Sequence, residues 1–145
     1  MEKNPKSSKY YLQITRGAID TLLVLFTLGM FANLFIEIPS DLARGNAWSW
    51  VFANSAVIAI HAILGTILLI ASIASLILAI INHRNSWIAA SAVGLVFTAL
   101  AAYAGSDFLS AGQTNLSSFL MAIGFLGALV SYTLAVYQPK NPLQE

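Results

Sequence analysis

A chain of 145 residues that is 58% hydrophobic and only 9% charged is composed for lipid rather than water, since soluble domains carry about 25% charged residues. A net charge of +1 is too small for a nucleic-acid surface, and the absence of cysteine excludes disulfides, thiolate metal centres, iron–sulfur clusters and thiol catalysis. The longest polar segments are the first sixteen residues and the loop after the first hydrophobic stretch, so a single membrane domain over 1–145 is expected.

A helix crosses a hydrocarbon core of about 30 Å with about 20 apolar residues. Four stretches answer to that description. The first, 17–38, follows Lys3, Lys6, Lys9 and Arg16 and is ended by Pro39. It is too long for the apolar part of a signal peptide and lacks a clear Ala-x-Ala site, so it is expected to be retained. Within it, Asp20 lies one helical turn beyond Arg16, the spacing of an i,i+4 ion pair at the cytoplasmic end. The second stretch, 51–81, is ended by Asn82-His83-Arg84-Asn85. As one helix it would be ~46 Å long, so it must tilt, project from the membrane, or begin later. The third, 87–104, is ended by Gly105, and the fourth, 116–137, by Gln138-Pro139. No P-loop, dinucleotide fingerprint or zincin motif is present.

Charge sets the orientation. Lys3, Lys6, Lys9, Arg16, Arg84 and Lys140 fall on one side, whereas the other has Arg44 beside Glu37, Asp41 and Asp107. The positive-inside rule then places both termini in the cytoplasm. The fold expected is all-α: an integral membrane antiparallel four-helix bundle, multi-pass in the plasma membrane and in contact with the lipid bilayer.

Membrane helices pack through small residues. The third stretch offers Ala90, Gly94, Thr98 and Ala102, and the fourth Ser117, Met121, Gly124, Ala128, Ser131 and Ala135. The second offers His61, Gly65, Ser72, Ser75 and Ala79 along a similar line, which turns His61 toward the bundle interior. Gly65 is one turn along the same face, where a large flat ligand held by His61 would need a residue that small. Ile60-His61-Ala62-Ile63 has a weak counterpart sixty residues later in Leu120-Met121-Ala122-Ile123.

An ionisable group at membrane depth is costly and marks a functional site by default. Counting rise per residue from the cytoplasmic ends puts His61, Met121, Met30, Asn33, Glu37 and Tyr103 in the outer half. Three readings of His61 stand side by side. It is an axial haem ligand, with the thioether of Met121, or failing that Met30, on the other side of the iron; or it makes a polar contact with Glu37, Asn33 or Tyr103; or it forms a proton or metal site with Glu37. His83 reads as a solvated loop residue. Candidate cofactor contacts are His61, Met121, Met30, Gly65 and Gly124, with His61 and Met121 as the metal ligands.

Two short pieces, Leu28-Gly29-Met30-Phe31 and His61-Ala62-Ile63-Leu64-Gly65, resemble the glycine-containing first-helix pattern and the His-x-x-Leu-Gly signature of small four-helix b-type membrane cytochromes and their relatives. The resemblance spreads over about the first two-thirds of the chain. It implies haem b and electron transfer with a quinone or a respiratory-chain partner. In that group the fourth helix usually offers a second histidine. Here Met121 stands near the equivalent place, which speaks against bis-histidine ligation. Competing classes are a non-catalytic small membrane subunit or scaffold of a larger complex, and a small transporter; association into a homo-oligomer is open under any of them.

Overall fold

The structure, a computed structural model, describes residues 5–39, 42, 46–111 and 113–137. These form five helices and no strand: α1 (Pro5–Phe35), α2 (Ala47–Asn54), α3 (Ala56–Ile81), α4 (Asn85–Ser110) and α5 (Asn115–Val136). All but α2 are long and apolar enough to cross a membrane, as a multi-pass membrane protein requires. Lys3, Asp41, Arg44, Gln138, Pro139 and Lys140 lie outside the described residues.

The helix ends differ from the expected spans for local reasons. The stretch 51–81 is not one helix. Ser55 is extended (φ −135°, ψ 92°), and its side chain accepts from the Ile58 N–H at 3.4 Å, capping α3. Apolar character runs unbroken across this point, but a hydroxyl that satisfies an orphan helix donor lets a new helix start there. What remains, α3, has 26 residues. Gly105 does not end the third span, because α4 continues through it to Ser110. Glycine is tolerated in membrane helices, and the Met121 sulfur fills the space over it, 3.6 Å from where a Cβ would be.

The first helix begins well before residue 17 because its polar leader has partners. Ser7 and Ser8 donate to the Asn82 side chain at 2.9 and 2.8 Å, and Tyr11 stacks on Trp87 with ring centroids 4.1 Å apart. Helix α1 stops at Phe35, ahead of Pro39. Beyond it, the Gln113 amide donates to the Ile36 carbonyl (2.9 Å) and accepts from the Ile38 N–H (3.2 Å), tying the chain after α1 to the turn before α5. His83 sits exposed in the α3–α4 turn with a left-handed backbone (φ 51°), as its loop reading implied.

The four long helices touch in a ring, each against two neighbours: α1 with α3, α3 with α4, α4 with α5, and α5 with α1. Neighbours pair with residue numbers running in opposite senses. Thr15 meets Ser75 while Gly29 meets His61, and Gly94 meets Tyr132 while Asp107 meets Ser117. Gly94 and Thr98 of α4 and Gly124, Ala128, Ser131 and Ala135 of α5 are buried at these contacts, whereas Ala102 is exposed and Gly65 faces open space. A Cβ at Gly94 would stand 2.5 Å from Tyr132 Cε1, and one at Gly124 would stand 2.8 Å from the Ala101 Cβ. Toward the Tyr11 end the core is polar. Tyr11, Ser91, Ser75 and Thr15 form a buried hydroxyl chain with separations of 3.1, 3.2 and 3.1 Å.

Candidate functional site

In the half of the bundle toward Gln113 the helices do not close on one another. They leave between them an apolar pocket of about 410 Å³, open on one side where Phe26, Phe52 and Ile63 are exposed, within the range of about 300–1,000 Å³ found for small-molecule sites. All five helices contribute. Gly29 and Met30 come from α1, His61 and Gly65 from α3, and Gly105 and Met121 from α4 and α5. Trp48 and Phe52 of the short α2 border it as well.

His61 is held by α1. A Cβ at Gly29 would stand 3.1 Å from His61 Cε1 and 3.6 Å from Nδ1, so the imidazole packs closely on the bare glycine and would have to give by a few tenths of an ångström to admit an alanine. Its polar contact is with the Leu25 backbone, one turn before Gly29. Nδ1 is buried and has no hydrogen-bond partner. A buried polar atom without a partner costs free energy, and each such atom in a native fold calls for an explanation.

Asn33 lines the same cavity as His61, but none of Glu37, Asn33 and Tyr103 hydrogen-bonds its Nδ1. Asn33 receives the Ser118 hydroxyl at 3.3 Å instead. Tyr103 is 70% exposed and, like exposed Glu37, does not line the cavity. The described residues contain no cluster of three or more His, Cys, Asp or Glu side chains able to hold a metal ion. A site of one imidazole and one thioether falls outside that description.

The other expected contacts divide. Gly65 faces open space, with nothing within 4 Å of an added Cβ. Gly124 borders the cavity, yet its α-carbon is pressed against Ala101 and Phe97, so helix packing alone accounts for a glycine there. Met121 lies in the wall with its sulfur over Gly105, and Met30 is in the wall but partly exposed. Sequence reasoning did not anticipate that Gly29 seats His61 or that Trp48 and Phe52 border the cavity. A glycine in the middle of an apolar helix was the available signal for the first.

Two features mark the site: a buried imidazole nitrogen without a partner, on a ring seated against α1, and a bare glycine surface one turn along α3. No protein family, curated protein or solved structure matches the chain.

Proposed function

We propose that the protein is a membrane b-type cytochrome: an antiparallel four-helix bundle in the plasma membrane, both termini cytoplasmic, holding one haem b in the outer half. His61 and Met121 would hold its iron, and Gly65 would leave room for the ring. The observation that carries this reading is the buried His61 Nδ1 without a partner, on an imidazole that lines an apolar cavity. Iron coordination would give the ring the interaction its surroundings withhold, after a rotation of the imidazole about its Cβ–Cγ bond to aim a nitrogen at the cavity.

Bound haem would supply one-electron redox chemistry, exchanged with a quinone or a respiratory-chain partner. The chain's own residues set the conditions. Turning toward iron, the imidazole would leave its seat on Gly29 and its contact with the Leu25 backbone, and the apolar wall would lower the local dielectric, which tunes the potential.

The test is haem content. Protein expressed with ample haem and purified in mild detergent should show a Soret band and about one haem per chain. His61→Ala should abolish the band, and His83→Ala should keep it. Colourless wild-type protein would end the cytochrome reading.

A further inference from the structure

The outward face of α1 carries charge at a depth where lipid tails would lie. Gln13, Arg16, Gly17 and Asp20 are all exposed, and their three- and four-residue spacing puts them on one face of the helix. The hydrogen bond between Thr15 and Ser75 fixes their level against α3. Ser75 is six residues before the end of α3 at Ile81, and Asp20 is five beyond Thr15, so Asp20 stands ~16 Å in from the α3 end. Helix α3 is ~39 Å long, so, centred in a core about 30 Å thick, it places Asp20 ~12 Å inside the hydrocarbon rather than at the cytoplasmic end. The surface around it is apolar, with Leu23 and Val24 of α1 and Ile70 and Ile73 of α3 all exposed.

Carboxylates at such depth are rare, face away from lipid and pair with other charged groups. Arg16 is one turn away on the same helix, yet neither residue makes an ion pair among the described residues, contrary to the i,i+4 pair expected from their spacing. Between them, Gly17 has nothing within 4 Å of an added Cβ, leaving its backbone open to close approach by another helix.

We propose that this face binds a second copy of the same chain, α1 against α1, in a two-fold dimer. Every copy inserts the same way, so the two-fold axis runs along the membrane normal and the two α1 helices are parallel. Arg16 and Asp20 are four residues apart, ~6 Å along the helix axis. Arg16 of each copy then reaches Asp20 of the other, and two reciprocal ion pairs flank a contact at Gly17. One charge of each sign on a single face is self-complementary, as an isologous interface requires. The dimer does not depend on the haem reading, because none of these four residues lines the cavity.

The chain has no cysteine, so single thiols can be introduced on a clean background. In native membranes under mild oxidation, Gly17→Cys should give a disulfide-linked dimer, and Val96→Cys, on the exposed face of α4, should not. Asp20→Arg or Arg16→Asp, each added to Gly17→Cys, should lower the dimer yield severalfold, and the double exchange of the two charges should restore it. The amount of each variant in the membrane fraction reports insertion. If a reversal fails to insert, Asp20→Asn and Arg16→Gln make the same comparison. Absence of the dimer in well-inserted Gly17→Cys would overturn the proposal. So would a yield indifferent to both charges, or the new thiol cross-linking to a different membrane protein in place of a second copy.

Discussion

The imidazole of His61 rests on the α-carbon of Gly29, with Cε1 only 3.1 Å from the position a β-carbon would take. One helix supplies the side chain and another the gap that seats it. Gly29→Ala should therefore shift the ring by a few tenths of an ångström and weaken haem binding slightly. Gly29→Val should displace it and lower haem occupancy strongly, with an overpacking cost of about 1–3 kcal/mol. Haem content and thermal unfolding of the two variants check this.

Gly65 and Gly124 both border the cavity but should respond differently to a larger side chain. Gly65→Leu meets open space and should lower haem occupancy while the haem-free protein keeps its stability; Gly65→Ala should be milder. Gly124→Leu must push α4 away from α5 at Ala101 and Phe97, so it should destabilise the protein with or without haem, by about 1–3 kcal/mol or more. Equal loss of haem-free stability in both leucine variants would make Gly65 a packing residue too.

The sixth ligand can be read from the redox potential. A histidine–methionine pair raises the potential relative to two histidines. Met121→His should lower the midpoint and keep the iron six-coordinate, and Met121→Leu should leave it five-coordinate or solvent-ligated. Unchanged spectra in both variants would pass the role to Met30, which also lines the cavity.

Much of this architecture was legible in the sequence because membrane burial writes long apolar runs. The fourth span is within one residue of α5 at both ends. The seam through Ser72, Ser75 and Ala79 is buried, as its spacing implied. The break at Ser55 was hidden because apolar character continues across it, and only the capping chemistry of one hydroxyl separates α2 from α3. The helical leader of α1 was hidden for the opposite reason. Its residues are polar and become helical through partners distant in sequence, Asn82 for Ser7 and Ser8 and Trp87 for Tyr11. At the site, a histidine inside an apolar run was visible at once. The residue that seats it, Gly29, lies 32 positions earlier on another helix, and only packing reveals the pair.

Orientation rests on charges that flank the helices. Reporter fusions at the N-terminus, Asn85 and the C-terminus should read cytoplasmic, and insertions at Asn46 and Gln113 should read external. The inverse pattern would place the His61 cavity in the inner half and overturn the charge argument.

The central claim is that His61 is the ligand that holds haem in this cavity. The most direct measurement is the Soret band of His61→Gly in the presence and absence of free imidazole. The variant should insert normally and lack the band, and millimolar imidazole, entering the space the side chain vacated, should restore it. Full haem retention in His61→Gly without imidazole would contradict the account and move the ligand elsewhere.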